Sequence, residues 1–157
     1  MKHNQRFLAL AADFATLLKL PFDPGEETLG LEFETARHTV RVLPHPSEES
    51  HFVISVDVLA AEAGVPDSAW KMLLRMNLAA IAEHGWSIGL EEGGTLVLFR
   101  VVDLSRCGPS DLENLMSDGL DRAEALSSLW NTACGLPDRE PEDAERSPGL
   151  QMAFLKA

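Results

Sequence analysis

Apolar residues in the first 60 positions of the chain follow two different periods. Between residues 4 and 20 they recur every three or four positions, which predicts an amphipathic helix that ends before Pro21. From residue 29 onward they alternate with polar residues, which predicts strands at residues 29–34, 39–42 and 52–59. The third strand places four apolar residues on one face: Phe52, Ile54, Val56 and Val58.

The next part of the chain predicts a second helix followed by a hairpin. Helical spacing over about residues 67–83 is followed by Gly85, a residue typical of helix C-termini. Alternation over residues 86–90 and 95–104 predicts two strands. Two glycines in the intervening turn, at residues 91–94, supply the backbone freedom that a tight hairpin requires.

A third helix and a polar tail complete the chain. The helix is predicted for residues 110–132, with Gly119 as a weak point inside it. Three prolines and five acidic residues between positions 135 and 149 predict a flexible tail over residues 134–157. The apolar end of this tail, residues 150–155, is too short to fold alone but could dock on a surface.

These elements predict an α+β fold with a five-stranded antiparallel sheet and three helices. The order is helix-strand-strand-strand-helix-strand-strand-helix, with the folded domain at residues 1–133. A chain of 157 residues buries about 69% of its unfolded surface on folding, which is enough for one core without disulfides or metals.

The charge of the chain excludes several classes of partner. Thirteen basic residues against 25 acidic ones give a net charge of −12, which repels nucleic acid and anionic membranes. No apolar run reaches the ~20 residues that a membrane span needs, and Asp13 interrupts the apolar N-terminus, which argues against a signal peptide. Two isolated cysteines, Cys107 and Cys134, suit a reducing cytoplasm.

The sequence offers few candidates for catalysis or metal binding. His38, His45 and His51 lie close together in the sequence, but their irregular spacing does not match a metal site. Cys107 follows a strand with no histidine expected nearby to activate it. Phosphate-binding and hydrolase motifs are absent from the sequence. We therefore expect no enzymatic activity, no cofactor and no metal.

The second helix has a wider apolar arc than a helix lying on a sheet requires. Its strongly polar residues between Ala69 and Ala82 are Lys71, Arg75 and Asn77. One explanation is burial on several sides within one domain. Three helices offer little to bury it, so a subunit interface is the favoured interpretation. The expected interface residues are Trp70, Leu73, Leu74, Asn77 and Ile81.

The fifth strand is apolar on both faces. Leu96, Leu98 and Val102 lie on one face, whereas Val97, Phe99 and Val101 lie on the other. Helices of the same subunit could cover both faces. The alternative is that one face is partly open and binds another polypeptide, with Val97 and Phe99 as contacts.

A second candidate binding surface combines the first strand and the first helix. Leu29, Leu31 and Phe33 form an apolar row on what could be an open sheet edge, and an open edge accepts an extended peptide as an extra strand. Phe7 and Leu8 at the start of the first helix would add further anchors. The alternative is that Leu31 and Phe33 simply fill the core.

Several short segments of the sequence match one protein family. They are the Leu20-Pro21 helix end, Leu73-Leu74-Arg75-Met76-Asn77 in the second helix, the hairpin containing Gly85-Trp86-Ser87-Ile88-Gly89-Leu90 and Leu96-Val97-Leu98, and Leu112, Leu115, Ala123, Glu124 and Trp130 in the last helix. Over residues 5–132 the chain resembles the small acidic chaperones of bacterial type III secretion, the Tir chaperone (CesT-like) family. The tail beyond Gly135 and the glycine at position 119 depart from the family pattern.

This resemblance implies a homodimer that binds the N-terminal region of a secreted effector in the bacterial cytoplasm. The effector would be held extended and secretion-competent without ATP, and the ATPase of the secretion apparatus is a further candidate partner. The alternative is a non-enzymatic regulatory or adaptor protein of the same fold that binds a folded cytoplasmic partner. The identity of the neighbouring reading frame and co-purification would discriminate between the two.

Overall fold

The computed structural model describes residues 5–21, 28–61, 64–136 and 151–156, with only the backbone described for residues 28, 29 and 151–156. The helices are α1 (Gln5–Leu17), α2 (Asp67–His84) and α3 (Pro109–Cys134), and a short 3-10 helix precedes α3 at Leu104–Arg106. The strands are β1 (Thr28–Glu34), β2 (Thr39–Pro44), β3 (His51–Ala60), β4 (Ser87–Leu90), β5 (Thr95–Asp103) and β6 (Gln151–Lys156).

The strands form one antiparallel sheet in the order β4-β5-β3-β2-β1-β6. The five predicted strands and three predicted helices are all present in the predicted order, so the α+β class is confirmed. The sixth strand was not predicted. It is formed by the end of the tail, so the prediction of a flexible segment does not hold for residues 151–156. Residues 137–150 lie outside the described part of the chain, and their flexibility remains a prediction.

One face of the sheet carries the hydrophobic core. The even-numbered residues of β3 between Phe52 and Val58 are buried, as their alternation predicts. Helix α1 packs on this face through two aromatic pairs: Phe7 lies 6.4 Å from Phe52 between ring centroids, and Phe14 meets Phe33 edge-on at 5.8 Å. Helix α3 crosses the same face and contacts both β3 and α1.

Gly119 allows α3 to approach the sheet closely. A Cβ atom at this position would lie 2.8 Å from Trp86 Cη2 and 3.0 Å from Val56 Cγ2. Trp86 is fully buried. Its indole N–H donates a 2.7 Å hydrogen bond to Oδ2 of Asp118, the residue before Gly119 in α3. The expected weak point is therefore a packing position, where the absence of a side chain admits the indole ring.

Candidate protein-interaction surfaces

Helix α2 exposes three large apolar residues on its outer side. Leu74 is 66% exposed, Leu78 73% and Ile81 49%. Their spacing of four and three residues places them on one helix face, which we call the α2 stripe. Single exposed apolar residues are common on protein surfaces, but a contiguous row marks an interaction site.

The other residues expected at the subunit interface make contacts inside this chain. Leu73 is buried in the core, and Trp70 meets Trp130 of α3 edge-on at 5.0 Å between ring centroids. Asn77 Oδ1 accepts a hydrogen bond of 2.8 Å from the backbone N–H of Ile88. Because β4 is the outermost strand on this side, Asn77 satisfies a donor at the sheet edge. Of the five expected residues, Leu74 and Ile81 are the exposed ones.

The face of the sheet turned away from α1 and α3 carries a second apolar surface. Val97, Phe99 and Val101 alternate along β5 on this face, and we call them the β5 patch. Val101 is 46% exposed, Phe99 is partly buried and Val97 is buried. Gly89 of β4 leaves room for the Phe99 ring, because a Cβ there would lie 3.3 Å from Phe99 Cε1. These positions agree with the expectation that one face of the fifth strand is partly open.

A charged cluster lies on the same face of the sheet. Arg41 on β2 donates to Glu32 Oε2 of β1 at 2.9 Å and to Asp57 Oδ1 of β3 at 2.6 Å. Partial burial lowers the pKa of Arg41, but hydrogen bonds and the negative charges of Asp57 and Glu32 outweigh it and raise the pKa above its usual value. The outer face therefore has the β5 patch on one side and a charged cluster centred on Arg41 toward β1, with Leu43 and Val53 also on this face.

The first strand and first helix contribute their apolar residues mainly to the core. Leu31 and Phe33 are 0% exposed, and Phe7 is also buried. The structure thus shows the core alternative for Leu31 and Phe33. Leu8 is half-buried, and the side chain of Leu29 lies outside the described residues. The edge of β1 is not open as expected, because β6 pairs with it.

The surroundings of His38 and Cys107 are those of structural residues. His38 is buried at the β1–β2 turn, where its ring contacts the Asp57 carbonyl oxygen and the Glu124 carboxylate. Burial and the charge of Asp111 raise the pKa of Cys107 to about 11, the opposite of the shift in reactive cysteines. Within the described ranges, no group of three or more His, Cys, Asp or Glu residues could hold a metal ion.

A helix that crosses a membrane must be both long and apolar. Among the helices of the described residues, none combines the length and the apolar character needed to cross a bilayer.

Sequence reasoning missed two parts of these surfaces. Leu78 lies four residues after Leu74, so helical spacing alone could have added it to the α2 stripe. The pairing of β6 with β1 has no local signal, because the two strands are far apart in the sequence.

The comparisons with known proteins agree with this fold. The sequence pattern of the Tir chaperone protein (CesT) family matches residues 9–127. No curated protein matches the sequence. A chain of the ExsC-ExsE complex is 20% identical with a TM-score of 0.67, covering 89% of this chain and 100% of that one. A chain of the HopA1-SchA chaperone-effector complex is 14% identical with a TM-score of 0.67, covering 80% and 95%.

A third similar structure is that of a chaperone from Yersinia pestis. The Yersinia pestis type III secretion chaperone SycH, in complex with a stable fragment of YscM2, gives 21% identity and a TM-score of 0.59, covering 77% of this chain and 99% of that one. At these identities the solved structures show a shared fold. The sequence match spans most of the chain and includes α2, β4 and β5. The chain therefore belongs to the Tir chaperone protein (CesT) family.

Proposed function

We propose that this protein is a cytoplasmic chaperone of bacterial type III secretion that binds the N-terminal region of an effector as a homodimer. Family membership supports a role in effector binding. The exposed α2 stripe is the observation that carries the homodimer. Each Leu or Ile side chain gains about 1.5–3 kcal/mol when fully buried, so three exposed on one face favour a partner.

A two-fold symmetric contact fits the spacing of the α2 stripe. Leu78 lies near its centre, so a two-fold axis passing there would place Leu74 against Ile81 of the partner subunit. Such an interface uses the same patch on both copies and closes on itself.

The client would bind as an extended chain without ATP. Apolar anchors on the β5 patch and main-chain hydrogen bonds at a strand edge supply binding energy without nucleotide hydrolysis. The acidic surface, with a net charge of −12, keeps a protein with exposed apolar patches soluble. The charged cluster around Arg41 on the outer face would limit the apolar contact area and bias where the client lies.

Sedimentation velocity tests the dimer directly. The wild-type chain should sediment at twice its 17.2 kDa, and Leu74→Lys combined with Ile81→Lys should give a folded monomer. Lysine reduces the net negative charge, so dissociation of this variant could not result from added acidic repulsion. Leu129→Lys changes an exposed apolar residue of α3 outside the stripe and should remain dimeric. A double variant that folds and stays dimeric would overturn the interface.

A further inference from the structure

The chain's own C-terminal strand occupies one edge of its sheet. β6 pairs antiparallel with β1 over six residue pairs, from Thr28 opposite Lys156 to Glu34 opposite Gln151. It pairs with no other strand of the described sheet, so β1 supplies all of its strand pairing. The opposite edge of the sheet, at β4, is contacted by α2 instead. There the Asn77 side chain accepts a hydrogen bond from the β4 backbone.

β6 lies outside the family domain. The family match ends at residue 127, whereas β6 spans Gln151–Lys156. Residues 137–150 connect it to the end of α3 and are rich in proline and acidic residues. Among the described elements, β1 is the one that β6 contacts extensively, so its pairing with β1 is the main feature that holds it at the sheet edge.

The composition of β6 differs from that of the rest of the chain. In a protein with 25 acidic residues, the segment Gln-Met-Ala-Phe-Leu-Lys contains none and carries one lysine. The strand it covers carries Glu32, which is paired with Arg41, and ends at Glu34. A carboxylate at the end of the edge strand disfavours acidic segments and accepts neutral or basic ones.

We propose that β6 is a displaceable occupant of the β1 edge, which it closes in the free protein and yields to an extended client segment. This inference rests on the proposed function. The client segment would resemble β6: apolar, free of acidic residues and six or more residues long. It would pair with the same backbone groups of β1, by strand addition. Closing the edge in the free protein also prevents edge-to-edge aggregation.

The connection between α3 and β6 sets how difficult displacement is. The predicted flexibility of residues 137–150 would make β6 compete at an effective concentration of about millimolar. The apparent association constant of any free segment for the edge equals its intrinsic value multiplied by the fraction of time that β6 leaves the edge open. Releasing β6 should therefore raise that affinity by about tenfold or more.

A fluorescent peptide with the sequence of residues 151–156 is the probe for the edge. It should bind the full-length protein weakly, and at least tenfold more tightly when β6 carries Ala153→Pro together with Phe154→Pro. Successive backbone N–H groups of a strand point to opposite sides, so two adjacent prolines remove one N–H that faces β1. A control peptide with the same two prolines should not bind. Equal binding of the probe to the wild type and the variant would overturn the proposal.

A reversible disulfide tests the same edge without weakening β6. Glu34→Cys and Gln151→Cys lie opposite each other in the register, in a Cys134→Ser background. The oxidised form should lose probe binding, and reduction should restore the wild-type level. Probe binding that survives oxidation contradicts the proposal, as does a disulfide that joins two chains on a non-reducing gel. Neither assay uses a client, so their failure is separate from failure of effector binding.

Discussion

Gly119 of α3 lies against the indole ring of Trp86, with 2.8 Å between Cη2 and the position a Cβ would take. The ring is fully buried and is fixed by its hydrogen bond to Asp118. The contact therefore joins α3 to the start of β4 and positions the hairpin that carries the β5 patch.

Gly119→Ala should destabilise the protein although alanine is the better helix former. Overpacking costs about 1–3 kcal/mol, and the gain in helix propensity offsets about 1 kcal/mol of it. Urea unfolding should show a net loss of up to about 2 kcal/mol. Gly93→Ala, in the β4–β5 turn with no atom near its Cβ position, is the control and should leave the midpoint unchanged. A midpoint of Gly119→Ala above that of the wild type, as helix propensity alone would give, would disprove the packing role.

Phe33→Ala and Phe99→Ala should separate the core from the client surface. Phe33 is fully buried against Phe14, so its truncation should lower the free energy of unfolding by about 3–5 kcal/mol. Phe99 lies on the outer face, so truncation should change stability by less than about 1.5 kcal/mol and weaken client binding by about 10- to 100-fold. Unfolding and client affinity are measured for both variants. Unchanged client affinity in Phe99→Ala would remove the β5 patch from the binding site.

Low pH should weaken the hydrogen bond by which Asp118 holds the Trp86 ring. Burial raises the pKa of Asp118, but hydrogen bonds from Arg122 and Trp86 outweigh it, so the net pKa is lowered. A lowered folded-state pKa stabilises the protein above the unfolded value of about 3.9, and this contribution is lost as pH falls through the folded value.

The melting temperature of Asp118→Asn should therefore lie below that of the wild type at pH 6, and the difference should decrease as pH falls below the unfolded-state value of about 3.9. Asp121→Asn removes the same charge from an exposed position of α3 and controls for the loss of charge itself. A difference between Asp118→Asn and wild type that persists unchanged into strong acid would refute the assignment.

Cys107 should react slowly with thiol reagents in the folded protein. Its pKa of about 11, raised by burial and by Asp111, leaves about one thiol in a thousand ionised at pH 8. In a Cys134→Ser background, alkylation should be at least about 100-fold slower in native protein than in urea. The rate should rise with pH up to about 11. Rapid native labelling at pH 8 is the opposite result.

Local patterns predicted the elements of the fold because each is determined by short-range physics. The end of α2 was predictable from Gly85, which adopts the left-handed conformation at φ 70° that glycine favours. The buried face of β3 was predictable from strict alternation between Phe52 and Val58. Alternation reveals that a strand has two faces, but not which neighbour covers each of them.

The uses of the surfaces were harder to predict because they depend on contacts distant in sequence. Leu31 and Phe33 were equally consistent with a core and with a client site until α1 was placed over them. Asn77 was expected at a subunit interface, and its bond to Ile88 depends on how α2 lies beside β4. The segment Gln151–Lys156 lacked a visible partner, because its pairing with β1 closes a loop of more than a hundred residues.

A dimer of this chain that holds the N-terminal region of a secreted effector in extended form can be detected by native mass spectrometry. The tagged chain is isolated from its own bacterium under secretion-inducing conditions. We expect a complex of two 17.2 kDa chains with one effector, in which an N-terminal effector segment is protected from limited proteolysis. A single copy of the chain bound to a folded partner, with no protected N-terminal segment, would contradict this function.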